Sequence, residues 1–225
     1  ADTLFKADFT LDSTKDGIIW VSKIDDPSAF GVVKLNGGNI ITDFVEKPET
    51  FVSDLAIIGI YYFNDGVYLR NELQYLLDNN IKDKGEFQLT NALENMKNKG
   101  TKFSSGKVRE WLDCGNKDST VFTNERVLEY NGNLINDSTQ IINSEVISPC
   151  FIGANAIIKN SKIGPHVSLG SNTVVENSVI NKTIIQNNSL ITNAKLSNSM
   201  LGNQVKFDGK NIEQEVSIGD FSEVK

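Results

Sequence analysis

From about residue 141, large apolar side chains, all but the last aliphatic, recur at a steady interval: Ile141, Ile147, Ile152, Ile158, Ile163, Leu169, Val175, Ile180, Ile185, Ile191, Leu196, Leu201 and Phe207. Every step is five or six residues. A helix places apolar residues three and four apart and a half-buried strand two apart, so neither period fits and an internal repeat is indicated. A second register runs with the first. Two residues before each of these positions from Ile158 onward sits a small or β-branched side chain: Ala156, Ser161, Val167, Thr173, Ser178, Thr183, Ser189, Ala194, Ser199 and Val205. A narrow prism needs this alternation, because each flat face contributes one bulky and one small inward residue. Gly153, Gly164, Gly170 and Gly202 each follow an aliphatic, and Asn155, Asn160, Asn172, Asn177 and Asn198 fall near the corners, where left-handed backbone angles are tolerated. Three such units make one coil, and the repeat supplies about four coils.

Both registers together resemble the hexapeptide pattern of the left-handed parallel β-helix, which is assigned to residues 134–225. A terminal coil exposes its strand edge and needs a cap or a partner. Lys206–Lys225, with Gly209, Gly219 and charged residues, is read as that C-terminal cap.

The front of the chain has a different rhythm. Gly17–Ser22, Phe30–Leu35 and Ile40–Val45 read as strands, the last two joined by the hairpin turn Asn36-Gly37-Gly38-Asn39. Leu55–Phe63 is a further strand, and helices are expected near Val67–Asp78, Gln88–Lys99 and Asn116–Tyr130. The N-terminus runs without Met straight into Ala1-Asp2-Thr3-Leu4-Phe5 and reads as a cut, so the chain is treated as a fragment.

Composition narrows the function classes. The 225 residues are 39% hydrophobic and carry a net charge of -7 spread along the chain, which argues against a nucleic-acid or anionic-membrane partner. Cys114 and Cys150 match no metal-ligand spacing and read as free thiols. No apolar run is long enough to span a bilayer and no signal peptide opens the chain, so a cytoplasmic protein is expected.

Five blocks then occur in a fixed order: Phe30-Gly31-Val32-Val33, Glu46-Lys47-Pro48, Ala56-Ile57-Ile58-Gly59-Ile60-Tyr61, Gly85-Glu86-Phe87-Gln88-Leu89-Thr90 and Trp111-Leu112-Asp113-Cys114-Gly115. Together they resemble the sugar-1-phosphate nucleotidyltransferases of the glucose-1-phosphate thymidylyltransferase type. The resemblance implies that residues 1–133 are the C-terminal half of an α/β, Rossmann-like catalytic domain, followed by the all-β helix. It also implies a Mg²⁺-dependent reaction between a sugar 1-phosphate and a nucleoside triphosphate that yields a nucleotide sugar, dTDP-glucose above others, and pyrophosphate, in a homo-oligomer.

Carried over by position, the resemblance makes Asp2 and Asp113 the carboxylates that hold Mg²⁺; Asp113 otherwise reads as a helix N-cap. Lys47 meets the sugar phosphate and counts with Asp113 as catalytic, while Glu46 accepts hydrogen bonds from sugar hydroxyls; a solvated Glu-Lys pair is the plain alternative. Gly31 and Gly59 stand where the backbone approaches the sugar, or else mark strand bulges. Ile57 and Trp111 wall the sugar pocket or simply pack in the core.

The family's Gly-rich triphosphate loop, GGxGTRLxPxTxxxPK, does not occur in the sequence. The 225-residue chain alone is therefore expected to be inactive. Two other functions stay open: an acyl- or acetyltransferase of the β-helix, with the single histidine, His166, as its base, and a non-catalytic regulatory or assembly subunit. For His166 a solvent-exposed corner position is the plain expectation.

Overall fold

In the computed structural model, which describes residues 2–7, 9 and 11–225, the front of the chain forms β1 (Thr3–Lys6), β2 (Gly17–Lys23), β3 (Gly31–Leu35), β4 (Ile41–Glu46), β5 (Leu55–Phe63), α1 (Gly66–Asp78), α2 (Leu89–Asn98), β6 (Phe103–Lys107), β7 (Glu110–Asp113) and α3 (Lys117–Asn131). Residues Phe5–Trp111 make one compact unit; Leu112–Lys225, with the residues up to Leu4, make the other. We call these the sheet unit and the solenoid unit. β1 and β7 pair as a two-stranded ribbon.

The sheet unit is built on a five-stranded mixed sheet in the order β4-β3-β5-β2-β6. β2 runs antiparallel to β5 and parallel to β6. Its first five residues, Gly17–Val21, are all buried, as expected for an interior strand whose apolar run is continuous rather than alternating. The hairpin between β3 and β4 is antiparallel, and Asn36 closes its turn by accepting from Gly38 N at 2.9 Å and Ile40 N at 3.0 Å. Ile19, Val21, Val33, Ile41, Phe44, Leu93, Met96 and Phe103 form the core between sheet and α2. β6, which has no alternating apolar signature, is not among the strands the sequence suggests; its pairing with β2 supplies what its side chains do not.

The back half is a parallel β-helix of three sheets. One face runs from Leu134–Ile135 to Ser217–Ile218 and a second from Gln140–Ile142 to Glu223–Val224, with six strands each; the third, from Glu145–Val146 to Glu213–Gln214, has five. This makes about five coils rather than four. Lys206–Val224 does not form a cap: it continues all three faces as a further coil. That coil escapes the aliphatic count because Gln214 stands where an Ile or Leu would, while its backbone still pairs with the coil before it. The first coil departs the other way, with Ile141 43% exposed, since no coil precedes it to cover that side chain.

Between these ends the inward residues are buried in both registers. The small register is often hydroxylic for a reason. Ser161 Oγ donates to Lys159 O (2.7 Å) and accepts from Ser178 N (3.0 Å), and Ser178 Oγ donates to Glu176 O (2.7 Å) and accepts from Ala194 N (3.0 Å). Each hydroxyl thus satisfies a corner amide that has no other route to water. The corner asparagines have positive φ, such as 43° at Asn198, 57° at Asn172 and 58° at Asn188, and stack as side-chain ladders such as Asn155 to Asn172 to Asn188. The glycines act differently. Gly170 is needed because a Cβ there would lie 2.5 Å from Asn187 N of the next coil.

α3 belongs to the solenoid unit and lies along the strands Val167–Leu169, Thr183–Ile185 and Ser199–Leu201. Lys117 Nζ at its start donates to Asn198 O (2.9 Å). His166 is consequently not a solvent-exposed corner: its side chain is 14% exposed, covered by α3. Both cysteines are free; burial pushes the Cys150 thiol up, against a weaker opposing hydrogen bond. Among the described residues, no helix is long and apolar enough to cross a membrane.

Candidate active site

Candidate site residues occur in both units. In the sheet unit, β3 and β4 place Gly31 opposite Glu46 in register. The Glu46 carboxylate accepts from Thr90 Oγ1 of α2 at 3.0 Å. A Cβ on Gly31 would fall 2.9 Å from Glu46 Oε2, 3.1 Å from Thr90 Cγ2 and 3.4 Å from Ile57 Cδ1. Gly31, Glu46 and Ile57 are therefore brought together around a point that any larger residue at 31 would fill, and Gly31 is needed for close approach. Ile57 is 8% exposed and also belongs to the core.

Lys47 follows with φ 40° and an exposed side chain. Its backbone is held at both ends: Lys47 N donates to Phe30 O (3.0 Å), and Lys84 Nζ donates to Lys47 O (3.1 Å). No ion pair or hydrogen bond engages Lys47 Nζ among the described residues, so Glu46 and Lys47 do not form a pair with each other. Glu46 is turned inward to Thr90 and Lys47 outward to water.

Gly59 behaves otherwise. Among the described residues, no atom other than those of its chain neighbours lies within 4 Å of where its Cβ would be, and its φ is 81°. It sits where the register between β2 and β5 shifts, Ile19 facing Tyr61 and Val21 facing Ile57, which is the bulge geometry a glycine permits. Trp111 packs edge-to-face on Phe30 (5.4 Å) and against Ile18, Trp20 and Ile58; its indole nitrogen is buried with no hydrogen-bond partner among the described residues.

Thr90 and Lys84, to which no motif assigns a role, are the supports of Glu46 and Lys47. Thr90 closes the quoted Gly85–Thr90 block, but only the fold shows that it crosses to Glu46. Tyr61 is a third neighbour. Burial, reinforced by the Glu46 carboxylate, pushes its phenol up to about 12. An unfolded chain ionises this group near 10, so between these values the unfolded state has lost a proton that the folded state keeps. Stability should be intact below pH ~10 and fall by about 2–3 kcal/mol as pH rises through the folded value. Urea unfolding of the wild type and Tyr61→Phe from pH 9 to 12 checks this, the alkaline decline being smaller in the variant.

In the solenoid unit, Asp2 and Asp113 converge. A Cβ on Gly115 would lie 3.3 Å from Asp113 Oδ1 and 3.4 Å from Asp2 Oδ2, so both carboxylates border one point. Cys114 N donating to Asp2 O at 2.7 Å fixes the two segments. Asp113 is not the cap of α3; Asn116 takes that role, accepting from Ser119 N at 2.9 Å. The Asp113 side chain instead accepts from Gly115 N (3.2 Å) and keeps oxygens available. Two hard oxygen donors, one exposed and one half-buried, fit a Mg²⁺ ion that retains most of its waters.

A mixed sheet bearing this glycine–carboxylate–lysine cluster, followed by a parallel β-helix, defines a nucleotidyl transferase with a solenoid extension, and the chain belongs to the nucleotidyl transferase family, whose pattern matches residues 6–129. It is 27% identical over 206 residues to a glucose-1-phosphate thymidylyltransferase of Streptomyces antibioticus, covering 84% of this chain and 56% of that protein. A Streptomyces griseus protein of the same name is 25% identical over 209 residues, covering 85% of this chain and 58% of that one. A bifunctional sugar-1-phosphate nucleotidylyltransferase/acetyltransferase of Sulfurisphaera tokodaii is 30% identical over 119 residues, covering 51% of this chain and 27% of that protein. The chain thus spans little more than half the length of the Streptomyces relatives it matches.

Proposed function

We propose that this chain supplies the sugar-phosphate and metal side of nucleotidyl transfer. In that reaction an oxygen of the sugar 1-phosphate forms a bond to the α-phosphorus of a nucleoside triphosphate, the bond from that phosphorus to the bridging oxygen breaks, and pyrophosphate leaves. The observation that carries the reading is the Gly31, Glu46 and Thr90 cluster with Lys47 beside it. Gly31 leaves room for a sugar ring, the carboxylate held by Thr90 accepts from its hydroxyls, and the unengaged Lys47 ammonium meets its phosphate as a point charge. Ile57 and Trp111 supply apolar wall. Mg²⁺ held by Asp2 and Asp113 would neutralise negative charge that accumulates on the phosphates. No covalent enzyme intermediate is needed.

Glucose 1-phosphate with dTTP is the favoured pair, supported by the names of the Streptomyces relatives. Homo-oligomers in the cytoplasm belong to the same reading, supported by coil ends that expose Leu134, Ile135 and Phe221 and by two free thiols. Acyl transfer at His166 draws less support, because α3 covers the ring and each of its nitrogens faces a carboxylate.

The Gly-rich triphosphate motif is not among the 225 residues, so the chain should bind a sugar 1-phosphate without turning it over. Pyrophosphate release from glucose 1-phosphate, dTTP and Mg²⁺ should equal the protein-free rate. Turnover by the purified chain would refute the inactivity of this piece; failure to bind the sugar phosphate would refute the site.

A further inference from the structure

Away from these residues, α3 and a corner of the β-helix bring together a second set of ligand-type side chains. Glu125 and Glu129, four apart on α3, share one helix face. His166 faces them with φ 63°, its backbone fixed by donation from His166 N to Pro149 O (2.8 Å) and from Thr183 N to His166 O (3.2 Å). Nδ1 lies 3.7 Å from Glu125 Oε1, and Nε2 lies 3.7 Å from Glu129 Oε1. One donor atom from each of the three residues can be chosen with all separations within 4.8 Å. Nδ1 is itself buried and has no hydrogen-bond partner, which a histidine placed only for packing would leave as an uncompensated cost.

We propose that Glu125, Glu129 and His166 form a binding site for a divalent transition-metal ion, zinc in the first place. Metal–nitrogen and metal–oxygen bonds of about 2 Å, bent at the ion, span gaps of this size with small side-chain rotations. An imidazole with two carboxylates suits Zn²⁺ or Ni²⁺ and is a poor match for Mg²⁺, which prefers oxygen alone. The surrounding cations set the affinity. Lys182 Nζ sits 3.1 Å from Glu125 Oε2, and Arg126 pairs with Glu129 Oε2. Each carboxylate therefore has one oxygen on a cation and the other turned to the ring. Lys182 is half exposed and can swing into water as an ion enters. A bound ion ties α3 to the solenoid.

The chain has one histidine, so its ring resonances report this site alone, undisturbed by metal at Asp2 and Asp113. Untagged protein is titrated with ZnCl₂, and separately with MgCl₂, while the imidazole signals are followed by NMR. Saturable shifts are expected with Zn²⁺ at micromolar concentration and none with Mg²⁺. Glu125→Gln should weaken the Zn²⁺ response about 10–100-fold, and Lys182→Gln, which removes the competing cation, should tighten it about tenfold. Zn²⁺ should also raise the thermal unfolding midpoint of the wild type but not of His166→Ala. The proposal is overturned if Zn²⁺ leaves the ring resonances unmoved, or moves them equally in Glu125→Gln. The cluster would then be an ion-pair network holding α3 and nothing more.

Discussion

Gly164→Ala is expected to lower the stability of the solenoid unit by about 3–5 kcal/mol, the sum of a left-handed backbone forced on a Cβ and a clash in a packed interior. Gly164 has φ 103°. The added methyl would overlap the Ile147 carbonyl oxygen and lie 2.8 Å from Cys150 Sγ, so backbone as well as side chain must shift. Gly59→Ala is the matched control. Its φ of 81° carries a similar conformational penalty, but nothing lies within 4 Å, and the loss should stop near ~1–2 kcal/mol. Urea midpoints of the two variants against the wild type separate packing from backbone strain. Equal losses would mean that the coils accommodate a methyl at position 164 without a clash.

The second large effect concerns ligand. Lys47→Ala should weaken binding of glucose 1-phosphate by about 10–100-fold, because it removes the one unengaged ammonium beside Glu46 from a charge-assisted contact. Thr90→Val, which leaves the Glu46 carboxylate without its 3.0 Å donor, should act through orientation and cost about 3–10-fold. Thr90→Ser restores the hydroxyl and should recover most of that loss. Calorimetric titration of each variant reads these differences, and the Ser rescue distinguishes the hydrogen bond from mere packing at position 90.

The solenoid was legible because its period is local: thirteen large apolar positions and their small partners state the coil length without reference to anything distant. The same dependence hid the last coil, where Gln214 stands in the aliphatic register and only backbone pairing continues the pattern. Gly31, Glu46 and Lys47 were legible as motif letters, and Asp113 as one of two carboxylates. Their supports were not, since Thr90 reaches Glu46 across 44 residues and Lys84 reaches Lys47 across 37, distances at which no periodicity speaks. His166 shows the same limit. At a corner of an isolated coil it would face water, and only the packing of α3 along the solenoid covers it and sets two carboxylates on its ring.

The proposed function places recognition of a sugar 1-phosphate in the sheet unit, at the cluster built on Gly31 and Glu46. The most direct measurement is a glucose 1-phosphate titration of isotope-labelled protein, followed through backbone amide shifts. Saturable shifts are expected, concentrated at Gly31, Glu46, Lys47 and Thr90, with the solenoid corners unmoved. Absence of saturation, or shifts centred on residues of the β-helix instead, would contradict it.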